Sequence, residues 1–238
     1  MKAAAALLLC ALASRAQMPV HVDYGCSRED IESFGLGCTE EDACPVFLEI
    51  SSVQSSGLRL VVAANLHTAT TTLYGLLLMS EDGGKTWTEP QKRLRAATLE
   101  QIQFIDIEHG WVSGEVVDPL PKDPFLLITT DGGKTWRQAP LFDESRFGSI
   151  SQYWFTSPMA GELLFQAGSS RYELYDSMTG GDNWNPKETG TKPIRLSKAP
   201  LKNENPWRAR ADAASKAFKI ERGSEVVASF SIHVADCK

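Results

Sequence analysis

The 238-residue sequence has no run of eighteen apolar residues, few histidines and no excess of positive charge, and each shortage removes a class of protein. Without a long apolar run, no helical membrane span is expected. The four histidines, His21, His67, His109 and His233, are scattered and no CxxC pair accompanies them, so the spacing supports no metal site. Lys and Arg number 24 against 30 Asp and Glu. That balance argues against a nucleic-acid partner, because gripping phosphates requires clustered basic side chains that displace counterions. No GxSxG, HExxH, Walker loop or Gly-rich dinucleotide turn occurs, so no catalytic residue and no cofactor is assigned. Helical periodicity is almost absent beyond the N-terminus, and "REDIESFG" (28–35) is the one short helix the pattern supports.

The composition that remains, 42% apolar and 23% charged, suits a single globular domain with a real core. Residues 1–16 stand apart. Lys2 precedes an apolar run over 3–13, and Ser14 and Ala16 are small residues before a cleavage point ahead of Gln17, the pattern of a secretory signal. A lipoprotein reading at Cys10 is disfavoured by bulky Leu9. The protein is therefore expected to be secreted or periplasmic. Loss of Lys2 and Arg15 lowers the basic total from 24 to 22, so the net charge moves from −6 to −8. Export also leaves four cysteines in an oxidising compartment, Cys26, Cys38, Cys44 and Cys237. Of the three pairings, Cys38 with Cys44 and Cys26 with Cys237 are favoured; sequence leaves the connectivity open.

The strongest internal signal is a repeat. "SEDGGKTW" (80–87) returns as "TTDGGKTW" (129–136) and, more loosely, as "SMTGGDNW" (177–184). Longer echoes accompany it, "FIDIEHGW" (104–111) and "FTSPMAGE" (155–162). Between them lie alternating or apolar stretches bounded by turns, which read as antiparallel meanders. The expectation is an all-β array of about four units, over residues 45–97, 98–146, 147–191 and 192–238, with a clasp segment at 17–44. The last unit would use "PIRL" (193–196), "WRARADAA" (207–214), "AFKIERG" (217–223) and "EVVASFSIHV" (225–234). Each box residue has a local use. Gly83 and Gly84, Gly132 and Gly133, and Gly180 and Gly181 suit a tight turn. Asp82 and Asp131 can accept turn N–H groups, and Trp87, Trp136 and Trp184 can cover the hairpin.

The pattern S-x-D-G-G-x-T-W, carried by Ser80, Asp82, Thr86 and Trp87 and by Asp131, Thr135 and Trp136, resembles the Asp-box or BNR repeat. That repeat occurs in blades of sialidases, sortilin-type receptors and the photosystem II stability/assembly factor family. The third copy keeps Ser177, Gly180, Gly181 and Trp184 but has Thr179 and Asn183 in place of Asp and Thr. The resemblance implies a β-propeller-like fold in which the boxes are structural hairpins at the blade periphery, away from a central ligand site. "GWVSG…LLITTDGGKTW" is most similar to the assembly-factor blade.

The sialidase activity that the box also suggests would require six blades and an Arg triad. This chain is too short for six blades, and its nearest echo of the Arg motif, "PIRL" with Arg195, lies late and reversed. The acidic run "EEDAC" (40–44) reads as a solvated loop, and Ser149 and Ser151 have no identifiable His and Asp partners. Aromatic and Arg side chains are favoured at binding hot spots, which makes Trp111, Trp154, Arg171, Tyr172, Tyr175, Trp207 and Arg208 the candidate binding residues. The first reading is thus an exported, non-enzymatic binder of a protein or glycan. The alternative is a small exported glycosidase or other carbohydrate-active enzyme of sialidase-like ancestry, to be favoured by a cleft holding two carboxylates, one with a raised pKa.

Overall fold

The computed structural model describes residues 18–197 and 205–238, so the signal segment expected over 1–16 lies outside the described residues. The chain forms four antiparallel sheets. The first blade contains β1 (Cys44–Ser56), β2 (Arg59–His67), β3 (Thr72–Ser80) and β4 (Leu94–Arg95). The second contains β5 (Ala97–Phe104), β6 (Gly110–Val117), β7 (Pro121–Thr129) and β8 (Arg137–Pro140). The third is β9 (Ser149–Phe155), β10 (Gly161–Gln166), β11 (Tyr172–Ser177) and β12 (Asn185–Gly190). The fourth has β13 (Trp207–Asp212), β14 (Ala217–Arg222) and β15 (Glu225–Ser231). The last strand, β16 (His233–Cys237), leaves its own unit and pairs with β1 in the first blade, Cys44 opposite Cys237.

Two expectations about the last unit are corrected. Residues 193–196 form no strand; Ile194 and Leu196 instead pack on Leu164, Leu174, Trp154 and Tyr172 at the outer face of the third blade. The stretch expected as one strand over 225–234 divides in two at Ile232, because β15 serves the fourth blade and β16 the first.

Hydrophobic cores lie between neighbouring blades. Phe230 and Ile220 of the fourth blade meet Leu48, Val62 and Leu76 of the first. Val61 and Leu77 of the first meet Leu99, Val112 and Phe125 of the second. Leu126 and Ile128 of the second meet Phe155, Leu163 and Phe165 of the third. Among the described residues three hydrophobic cores join neighbouring blades, and none spans the third and fourth. The outward face of the fourth blade explains why: Arg208 and Arg210 pair there with Glu221, a charged face suited to water.

The segment before β1 ties the first blade to the fourth. Val20 exchanges backbone hydrogen bonds with Ser229 and Ser231 beside β15. The helix α1 (Arg28–Ser33) is held by a capping box between Ser27 and Asp30. Asp30 also accepts a 2.6 Å hydrogen bond from the Tyr74 hydroxyl on β3. Two disulfides complete the tie, Cys26–Cys237 across 211 residues and Cys38–Cys44 across six.

The three boxes form the turns after β3, β7 and β11. In the first, the Asp82 carboxylate accepts the backbone N–H groups of Lys85 (3.0 Å) and Thr86 (2.9 Å) and the Thr86 hydroxyl (2.7 Å). Asp131 accepts the Thr135 N–H and hydroxyl in the second. In the third, Thr179 accepts the Asn183 N–H at 2.8 Å, so the turn persists with a hydroxyl in the carboxylate's place. Each Trp indole donates to the carbonyl of the second glycine, Trp87 to Gly84, Trp136 to Gly133 and Trp184 to Gly181. Those glycines have φ of 93°, 88° and 101°, and each leans on the preceding blade. A Cβ would meet Val227 at Gly84, Val61 at Gly133, and Ile128 and Leu126 at Gly181.

Candidate functional site

An open cavity of about 410 Å³ lies between β1, β5 and β9, lined at mid-strand in β1 and β5 and at the start of β9. Its walls are Ser51 and Ser52 of the first blade, Glu100, Gln101, Ser113 and Glu115 of the second, and Ser149, Ile150 and Ser151 of the third. Glu115 lies five residues along β6 from Gly110, which pairs with Thr129 at the second box. At a strand rise of about 3.3 Å per residue, that places the cavity carboxyl on the order of 15 Å from the turn.

A bulge builds the second-blade wall. The β5–β6 register runs from Leu99 opposite Gly114 to Ile102 opposite Val112, leaving Glu100 and Gln101 unpaired in the ladder. The Ser113 hydroxyl accepts the Gln101 N–H at 3.1 Å, and the Gln101 amide donates to the Tyr153 carbonyl on β9. On the opposite wall, the Ser51 hydroxyl donates to the Leu99 carbonyl at 2.6 Å, and Ser52 accepts the Ile102 N–H at 3.2 Å. Polar side chains thus hold the three inner strands in place.

The cavity carboxyls are electrostatically unlike ordinary ones. Glu115 is only 8% exposed. Burial pushes its carboxyl up to about 7; the Ser149 side chain opposes the rise and the Glu100 charge adds to it. Glu100 is exposed at the cavity, yet burial by the protein around it raises its carboxyl too, with Glu49 on β1 adding repulsion. A protonated Glu115 can donate a hydrogen bond, and an ionised one attracts a cation. The two glutamates project from adjacent strands of one sheet, so they stand on one wall and do not bracket a bond between them.

The candidate binding residues occupy other places. Trp111 is corrected: it is 1% exposed, stacked on Phe155 at 3.9 Å between ring centres, and its indole donates to the Gly180 carbonyl. No face of the ring is left for a ligand. Tyr175 is likewise buried, its hydroxyl donating to Glu173 and accepting from Arg146. Arg171 is exposed and paired with Glu173. Trp207 donates to Ser55 Oγ at 2.7 Å and helps dock β13 on β1, while the Arg208 beside it pairs with Glu221. Tyr172 packs under the 193–196 segment. Trp154 lines a smaller cavity of about 160 Å³ on the third blade's outer face, beside Glu162. Burial pushes the Glu162 carboxyl up, but Lys187 and Ser197 outweigh it and hold it low, so that charge is already matched.

Sequence reasoning missed Glu100 and Glu115. The signal was present: in "GWVSGEVV" (110–117) a single Glu interrupts a strand otherwise built of apolar and small residues.

No protein-family model and no curated protein matches the chain. Among solved structures it is similar in part to YCF48 from Cyanidioschyzon merolae, with 24% identity, 60% of this chain and 37% of that chain covered, and a TM-score of 0.39. It is also similar in part to the GH74 xyloglucanase from Xanthomonas campestris, with 20% identity, 53% and 18% of the respective chains covered, and a TM-score of 0.39. The chain thus spans well under half the length of either protein.

Proposed function

We propose that the protein is an exported, non-enzymatic Asp-box protein of propeller-like build that binds a protein or glycan in the cavity between its inner strands. The observation that carries this reading is the cavity's wall of hydroxyl, amide and carboxyl groups, held in place by hydrogen bonds that run from blade to blade. Such a preorganised polar surface is suited to fixing a ligand's orientation. The boxes serve as joints in this scheme, since their carboxylates are consumed by their own turns. Two disulfides suit the oxidising compartment that the N-terminal segment implies.

A second reading, an exported glycosidase, is favoured by one feature, the near-neutral carboxyl of Glu115 beside Glu100. Against it stands their placement on one wall, since glycoside hydrolysis needs carboxyls on both sides of the scissile bond. A glycan array combined with hydrolysis assays separates the two readings. Binding without turnover, weakened in Glu115→Gln, supports the binder. Turnover abolished in Glu115→Gln with binding retained would establish the enzyme instead.

A further inference from the structure

Next to the polar cavity lies a second concavity, an apolar groove of about 340 Å³ lined by Leu120, Pro121, Phe147, Gly148, Gln166 and Gly168. The two share Ser149 in their walls, so they form one continuous surface. Leu120 is 60% exposed and Phe147 65% exposed. Both line the same groove and so form one exposed apolar patch, a feature of interaction surfaces.

The groove is held open by backbone hydrogen bonds. The Gly148 N–H donates to the Pro121 carbonyl at 2.9 Å, and the Asp123 N–H donates to the Arg146 carbonyl at 2.8 Å, so the two loops carrying Leu120 and Phe147 are stapled together. Two of the basic groups close by are engaged: Arg146 lies over Phe142 and bonds to Glu173, and Arg171 pairs with the same carboxylate; Lys122, bridged to Phe147 through the backbone, stands beside them. The surface therefore offers carboxyls on one side of Ser149 and unpaired apolar area on the other.

We propose that the cavity and the groove together form a docking site for an extended segment of a partner protein that carries a basic side chain and, two residues away, a large apolar one. This rests on the reading of the cavity as a ligand site and narrows its ligand to polypeptide. Two residues is the shortest separation at which an extended segment turns two side chains to the same side, about 7 Å apart. A guanidinium fits the Glu100 and Glu115 side, because it can meet carboxyl groups bidentately. Charge complementarity extends beyond the contact, since the whole chain carries −6 and steers a basic partner toward it. A second copy of this acidic chain would bring like charge to the site. A glycan would leave Leu120 and Phe147 uncovered and finds no aromatic platform in the cavity wall.

The test is calorimetric titration of the blocked peptide Gly-Arg-Ser-Phe-Gly, its two analogues with Ala for Arg or for Phe, and a set of neutral oligosaccharides. The full peptide is expected to bind, and each analogue to bind about tenfold more weakly or not at all. Glu115→Gln and Phe147→Ala should each cost a similar factor. Glu100→Gln and Leu120→Ser, both at exposed positions, provide the same information should Glu115→Gln disturb folding. An oligosaccharide that binds in a Glu115-dependent way while all three peptides fail would overturn the peptide assignment and leave the cavity as a glycan site. Peptide binding indifferent to all four variants would overturn the docking site. If neither peptide nor sugar binds at the cavity, both readings fall.

Discussion

Two sets of carboxylates, at the box turns and in the inner cavity, meet opposite electrostatic fates on the same blades. At the turns, Asp82 and Asp131 are rich in donors. The Thr86 N–H and hydroxyl hold the Asp82 carboxyl well below the usual range. Burial acts against Asp131, but Thr135 and Thr129 overcome it and hold that carboxyl at about 2. In the cavity, Glu115 is buried with little to satisfy its charge, and its carboxyl rises to about 7. Carboxylates that serve the fold are spent on N–H donors of their own turn. The one that is not spent retains the capacity to act on something else, and it costs stability when charged.

The comparison breaks most severely where the turns meet their neighbours. Trp111 links the second blade to the third box through Gly180 and stacks on Phe155. Trp111→Ala should lower stability by about 3 to 5 kcal/mol, the range for deleting a buried large aromatic, as read from denaturant midpoints. A loss below about 1 kcal/mol would show that the interface between these blades is not a core.

The second test concerns the cavity side of the comparison. Glu115 has a folded-state pKa above the ordinary carboxyl value, so stability is fully present below about pH 4.5 and is lost as pH rises through about 7. Glu115→Gln removes that penalty. The variant should match the parent at pH 4 and exceed it at pH 8 by up to about 3 kcal/mol. Parallel stability curves for parent and variant between pH 4 and 8 would place Glu115 in water and dissolve the contrast.

How much of this was legible in the sequence depends on range. The boxes, the helix over 28–33 and the meanders are local patterns, and "DGGKTW" carries its own glycines, acceptor and aromatic. The two disulfides also match the favoured pairing. What failed depended on partners distant in the chain. A Trp such as Trp111 looks the same in sequence whether it covers a neighbour's turn or waits for a ligand, and only the Gly180 carbonyl 69 residues away decides. Likewise the lone Glu115 in its apolar strand shows its burial only once the β5–β6 bulge and β9 close around it. The strand at 233–237 could not be assigned to its sheet without knowing that Cys237 lies opposite Cys44.

On the box side, Asp131→Ala leaves the Thr135 N–H and hydroxyl without their acceptor. Because these groups lie near water, the loss should be modest, about 1 kcal/mol, with the melting point reporting it. Ligand binding at the cavity should be unchanged at temperatures where the variant is folded. Loss of binding with an unaltered melting point would mean that the box takes part in recognition.

The smallest effect sharpens the comparison by rebuilding the third box. Thr179→Asp with Asn183→Thr would install the carboxylate and hydroxyl that Asp82 and Thr86 use in the first box, on a turn whose backbone is already in place through Ser177 and the Gly181 N–H. The gain is limited by Asp182, which stands where the other boxes have Lys85 and Lys134 and would repel the new charge, although Arg137 already pairs with it. The net stabilisation near pH 7 should therefore stay under about 1 kcal/mol. Its pH dependence is the more telling readout. By analogy with Asp131, whose carboxyl lies at about 2, the new group should contribute fully above the ordinary Asp value near 4 and lose its contribution as pH falls toward 2. Glu115→Gln acts with the same sign, its gain also growing as pH rises, but in a higher window between about 4.5 and 7, so the doubly altered chain should show two separate steps. A rebuilt box whose contribution grew as pH fell would mean that its carboxylate lacks the donors of the first two.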